Sequence, residues 1–147
     1  MKTLFMLLIS APLFACPELK GTYTTCVSNS GIEYHWSLKI EQAPEGPTYK
    51  MTQIYPETGL TSRSEFIVDG KPHATTYYDE AAGRNMATIQ TAICEDDTLK
   101  TSIEISSGPN HKLITNARWR MLEDKLVIEE LDDWQDEGKN NFTLTCE

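Results

Sequence analysis

Along most of this chain, apolar and polar side chains alternate one for one. In EYHWSLKIE, Tyr34, Trp36, Leu38 and Ile40 take one side and His35, Ser37, Lys39 and Glu41 the other, the period-2 pattern of a β-strand with one buried face. APEGP ends that strand, and TYKMTQIY resumes with Tyr49, Met51 and Tyr55 on one face until PETG turns the chain. SEFIVDGKPHATTYY reads as a hairpin in which Asp69-Gly70 supplies the positive φ angles of a type I′ turn, with Pro72 marking an edge or a bulge. MATIQTAIC and TLKTSIEIS follow on either side of the turn EDD, the second with Leu99, Ile103 and Ile105 alternating with Lys100, Ser102 and Glu104. HKLITNARWRML and LVIEEL are separated by EDK, and NNFTLTC ends the pattern with Phe142, Leu144 and Cys146 on one face.

Such a succession of short strands and turns predicts an all-β protein, an antiparallel up-and-down meander of about 8–10 strands with little helix. A single helical turn is expected at most in YYDEAAGRN; MLEDKLVIEELDDW has some i, i+4 apolar spacing, but its Val127, Ile128 and Leu131 suit a hairpin. Closure of the meander into a barrel is expected, because it removes the exposed edges that invite aggregation.

The segment before the first strand changes the picture of where this barrel works. Lys2 and the run LFMLLISAPLF have the charged start and short apolar core of a secretory signal peptide over residues 1–15, ending on Ala15. The run is too short to span a bilayer and Pro12 interrupts it. Residues 16–147 then form one domain, exported to a periplasm or secreted. Leu13, Ala15 and Cys16 also fit a lipoprotein box, although the bulky Phe14 does not, so a lipid anchor at Cys16 on a bacterial membrane is the alternative. All four cysteines, Cys16, Cys26, Cys94 and Cys146, lie beyond the leader, an even number that predicts two disulfides with three connectivities open.

Charge and motifs narrow the chemistry. With 13 Lys+Arg against 22 Asp+Glu and a net charge of −9, nucleic acid is excluded as a natural partner. DDWQDEGKNN is acidic, but its acids and Gly138 miss the EF-hand register, the cysteines form no CxxC pair, and no histidine stands at ligand spacing from them, so no metal and no cofactor are expected. His35 falls on a polar strand face, His73 beside a turn and His111 at a strand start. No nucleophile elbow, zinc-binding helix motif or phosphate-cradling glycine loop occurs, so a non-enzyme is expected.

ELKGTYTTCV, with Gly21 and then Tyr23 two residues on, resembles the Gly-x-Trp signature with which lipocalins and related calycin barrels begin, tyrosine standing for the tryptophan. The CPELKGTY start and the IVDGK hairpin look like those of small exported bacterial barrels of lipocalin-like type. The resemblance covers this strand and the general meander. It implies an aromatic at the closed end of the barrel with a basic residue of a late strand, Arg118 or Arg120, lying over it. Gly21 would let the chain fold back, bringing Cys16 to Cys26 and leaving Cys94 with Cys146 at one end of the barrel.

Two functions follow as expectations. The first is a carrier of a small apolar or amphipathic molecule in the barrel, lined by Tyr34, Trp36, Tyr49, Met51, Met86 and Trp119, with small residues such as Thr25, Thr88, Ala92, Thr115 and Ala117 leaving room. The alternative is an interaction or inhibitor module in which the acids from Asp132 to Glu137 around Trp134 bind a cationic secreted partner.

Overall fold

The computed structural model describes residues 16–43, 48–79, 83–108, 111–135 and 137–147; the leader expected over residues 1–15 lies outside them. In chain order the elements are β1 Gly21–Tyr23, β2 Cys26–Ser28, β3 Glu33–Tyr34, β4 Ser37–Gln42, β5 Thr48–Ile54, β6 Thr61–Ile67, β7 His73–Asp79, β8 Arg84–Glu95, β9 Thr98–Gly108, β10 His111–Leu122, β11 Lys125–Trp134 and β12 Gly138–Cys146. They form two antiparallel sheets, one ordered β1-β4-β5-β6 and one ordered β3-β2-β12-β11-β10-β9-β8-β7.

The first two sequence-predicted strands each bend between the sheets. One runs through the first sheet as β1 and continues into the second as β2; the next pairs in the second sheet as β3 and in the first as β4. At the first bend, the backbone of Glu147 takes over: Thr24 N–H donates to its carbonyl at 2.8 Å and its own N–H donates to Thr25 O at 2.9 Å. The final strand β12 lies on β2, so the two ends of the chain meet and the meander closes into a barrel along this side. Counted with each bent strand as one, the twelve elements make ten strands in up-and-down order. MLEDKLVIEELDDW is a hairpin, with Leu122 opposite Lys125. Of YYDEAAGRN, where at most one helical turn is expected, Tyr77, Tyr78 and Asp79 end β7 and Arg84 and Asn85 begin β8, while residues 80–82 lie outside the described residues.

On the other side, β6 and β7 follow one another without pairing, which corrects the hairpin expected at Asp69-Gly70. Only Gly70 there has a positive φ, 72°, and its N–H donates to Ala92 O at 3.0 Å, tying the loop to β8 instead of joining β6 to β7. Asp69 Oδ1 accepts from Lys71 N–H and lies against His73 Nε2, both at 2.9 Å. The paired positive φ angles of a two-residue hairpin fall at Asp96-Asp97 (48° and 57°) and Glu123-Asp124 (50° and 65°). Side chains with a Cβ carry a steric cost in that region, so replacing Glu123-Asp124 by Asn-Gly is expected to raise stability by about 1 kcal/mol, read as a rise of a few degrees in the thermal melt.

The core fills the barrel with side chains from both sheets: Ile40, Tyr49, Phe66, Leu99, Leu126 and Ile128 are fully buried. Leu19, also fully buried, belongs to no strand. It enters with the irregular segment 16–20, whose carbonyls are held by tyrosines of the barrel wall. Tyr49 Oη donates to Pro17 O at 2.6 Å and Tyr23 Oη to Leu19 O at 3.0 Å. This plug is anchored by a disulfide from Cys16 to Cys94, while Cys26 is bonded to Cys146. Both pairs differ from the expected Cys16–Cys26 and Cys94–Cys146. The chain does not fold back at Gly21; it runs on from the plug into β1 and β2, where Cys26 stands directly opposite Cys146 with Cα atoms 4.0 Å apart.

Gly21 is glycine for a nearer reason. A Cβ there would lie 3.2 Å from the ring and hydroxyl of Tyr23, which folds over it. Gly21→Ala is expected to push that ring off the Leu19 carbonyl and cost about 1–2 kcal/mol in denaturant unfolding. The basic residue expected over Tyr23 is not there: Arg118 and Arg120 project from the outer face of β10 onto Glu129, at 3.8 and 2.8 Å, and the Tyr23 hydroxyl meets the sulfur of Met121 at 3.6 Å.

Candidate ligand site at the open seam

Alternation along β8 puts Met86, Thr88, Gln90, Ala92 and Cys94 on its inward face, and the first four are buried. Thr88 satisfies its hydroxyl against Thr75 of β7 at 2.7 Å. Among the described residues no donor meets the buried carboxamide oxygen of Gln90, an arrangement that native proteins seldom keep without a reason.

Gln90 as a residue also borders the seam. Where β6 and β7 fail to pair, a cavity of about 650 Å³ is bounded by Met51 and Ser64 of the first sheet and by Thr75, Thr76 and Gln90 of the second. Charged side chains form its rim. Lys39 pairs with Glu41 at 2.9 Å and Lys50 reaches Glu65 at 4.0 Å, while Arg63 also borders the cavity. A second concavity, about 660 Å³, crosses the outer face of β8 to β12 between Ile93, Lys100, Arg118, Glu129 and Leu131. Its charges are already matched, Arg118 with Glu129 and Lys100 with Glu95.

The end of the barrel away from the plug is polar. Glu130 and Asp132 share the inward face of β11, Thr115 Oγ1 donates to Asp132 Oδ1 at 2.6 Å, and Tyr55 lies close enough to feel the charge of Glu130. Burial, reinforced by the Asp132 charge, pushes the Glu130 carboxyl up to about 7. A carboxyl raised in the folded state binds its proton more tightly there than in the unfolded chain, so its contribution is complete below about pH 4.5 and is lost as pH rises through about 7. Glu130→Gln should therefore reduce the fall in stability between pH 5 and pH 8, by on the order of 2 kcal/mol, measured by denaturation at the two pH values.

Of the six residues expected to line a ligand, Met51 alone borders the seam cavity. Tyr49 is fully buried with its hydroxyl on the plug, and burial raises that hydroxyl to about 12. Met86 is buried on β8; Trp36 and Trp119 are partly buried against the core, the Trp119 indole N–H donating to Thr101 Oγ1 at 2.9 Å. Tyr34 is exposed. The polar seam residues Ser64, Thr75, Thr76 and Gln90 were not singled out for this role by the sequence. Gln90 did leave a signal, since it occupies an inward position in the alternation of MATIQTAIC, where an apolar residue is the norm.

The acidic end strand is partly committed within the chain. Asp133 pairs with Lys139 at 2.9 Å, Asp132 with Thr115, and Trp134 is exposed at 39%; Asp136 lies outside the described residues. Among the described residues no group of His, Cys, Asp and Glu could hold a metal ion. His35 is exposed beside Glu33, His73 is engaged with Asp69, and the side chain of His111 lies outside the described residues.

No protein-family model matches the chain, and no curated protein does. Among solved structures, the zebrafish ileal bile acid-binding protein complexed with cholic acid is similar, with a TM-score of 0.55 over 87% of this chain and 96% of that one. The two share a fold. At 16% identity the likeness concerns the β-barrel and not the residues of the seam.

Proposed function

We propose that the protein is an exported, non-enzymatic carrier, folded as one domain over residues 16–147, which takes up a small amphipathic molecule through the seam between β6 and β7. The observation that carries this reading is the opening itself. A cavity of about 650 Å³ reaches the buried Met51 and Gln90 where two successive strands do not pair, within the range of small-molecule sites, roughly 300–1,000 Å³. A barrel of this fold is described as a bile acid-binding protein in the similar solved structure, which supports the same class of use. Two disulfides suit export, since cytosolic thiols are kept reduced. No helix among the described residues is long and apolar enough to cross a membrane. The Cys16 thiol is occupied by Cys94, and thioether lipidation would remove it from that bond, which favours the unanchored form.

Titration with the fluorescent amphiphile 1-anilinonaphthalene-8-sulfonate tests the reading. Saturable binding with a Kd on the order of micromolar is expected. Ser64→Trp, which fills the seam from its half-buried position on β6, is expected to weaken it about tenfold with little change in the thermal melt. Equal binding by both proteins, or none by either, would overturn it.

A further inference from the structure

The seam leaves two strand edges open. β6 pairs with β5 and β7 with β8, and on the seam side of each no strand among the described residues takes up the backbone N–H and C=O groups. Solvent reaches both edges. Ser62 is exposed although it shares the parity of the buried Phe66, and Thr75 is exposed although it stands opposite the buried Thr88. A free edge is a template for a further strand, and folded proteins commonly guard it with charge that repels a second copy. The seven-residue β6 carries instead one charge of each sign, Arg63 and Glu65, on either side of Ser64. That spacing makes the edge complementary to itself.

We propose that β6 is a homodimer interface, at which the β6 strands of two copies pair antiparallel about Ser64 and join their first sheets into one. In that register Ser64 faces Ser64 of the second copy, which sets Arg63 opposite Glu65 and Glu65 opposite Arg63. One pair of residues thus makes two ion pairs across a two-fold axis, the self-complementary contact of an isologous dimer. The neighbouring strand extends the match. Lys50 of β5 stands beside Glu65 and reaches it at 4.0 Å, so each Glu65 lies between a cation of its own copy and one of the other. At the strand ends Thr61 meets Ile67 of the second copy, and Ile54 stands beside Thr61 on β5. Ile54 and Ile67, each 41% exposed in the single copy, then flank Thr61 from both sides and lose contact with water. This inference goes beyond the carrier reading and does not depend on it.

A contact of one short strand pair is small, and a dissociation constant on the order of 10–100 μM is expected, so sedimentation velocity from about 1 to 500 μM should pass from monomer to dimer. Arg63→Glu and Glu65→Arg each set like charges opposite one another twice, and each alone is expected to weaken association about tenfold or more. Mixed in equal amounts, the two variants should associate with one another at least as tightly as the wild type does with itself, because each supplies the charges that the other lacks. Bulk attraction does not account for such pairing, since a single reversal moves the net charge of −9 by only two and both variants stay acidic. Recovery in the mixture also shows that both variants are folded. A wild type that stays monomeric over the whole range overturns the interface. A dimer that both single reversals leave intact overturns it too, and places the contact on another surface such as the β7 edge. A mixture that associates no better than its parts overturns the register about Ser64 and with it the proposal.

Discussion

Replacing Cys26 and Cys146 together by alanine is expected to lower the unfolding free energy by about 2–5 kcal/mol. The bond links residues separated by 120 positions, and the loop it closes in the unfolded chain includes nearly the whole barrel; a loop of that length corresponds to about 5 kcal/mol in the chain-entropy model. The folded state adds a local reason. β2 and β12 are matched over only Leu144 to Ser28, Thr145 to Val27 and Cys146 to Cys26, so the disulfide holds a three-residue ladder that joins the two ends of the meander. Without it, the strand that carries Cys26 is secured by that short ladder, by the Asn29 N–H on Thr143 O, by Glu147 and by the two-residue β3. Urea or guanidinium unfolding of the double variant against wild type measures the loss. A change below about 1 kcal/mol would show that the closing ladder is stable by itself.

Leu19→Ala carries the second large expected effect, about 3–4 kcal/mol. Leu19 is fully buried although no strand contains it. Its side chain belongs to the core cluster that also holds Tyr23, whose hydroxyl donates to its carbonyl, and the Tyr49 that donates to Pro17 O. Truncation leaves a cavity beside two tyrosines of the first sheet whose hydroxyls hold the plug, and rings fixed by hydrogen bonds collapse poorly into it. The seam lies away from the plug's tyrosine anchors in the lining of its cavity, which contains neither Tyr23 nor Tyr49. Dye binding by Leu19→Ala is therefore expected to stay within about threefold of wild type under conditions where it remains folded. A stability loss below about 1 kcal/mol would mean that segment 16–20 is not an integral part of the core.

How far the sequence disclosed this arrangement depended on the range of the physics involved. Period-2 alternation is local, and it located the strands from Ser37 to Cys146 and the hairpin at Glu123-Asp124. The bends at Thr24-Thr25 and at His35-Trp36 were not legible, because alternation continues through a strand that changes sheets, and what allows the first bend is the backbone of Glu147, more than a hundred residues away. The same distance problem decided the cysteines: the bend sends Cys26 onto β12, a pairing that spacing near Gly21 does not contain. Asp69-Gly70 was a strong local turn signal, yet the loop answers to Ala92 across the sheet. The candidate site was missed for a related reason. Bulky aromatics and methionines on inward faces were expected to surround a ligand, but Tyr49, Met86 and Trp119 are part of the packing, while the seam is made of small polar residues whose importance arises only from two strands that do not pair.

Native mass spectrometry of the protein isolated from its own host tests the carrier assignment most directly. The expected result is a bound species of a few hundred daltons, the size that suits the seam, which is lost on denaturation and is absent or strongly reduced in Ser64→Trp isolated in the same way. A native mass equal to the denatured mass in the wild type, repeated under gentle purification, or an adduct of equal occupancy in Ser64→Trp, would contradict it.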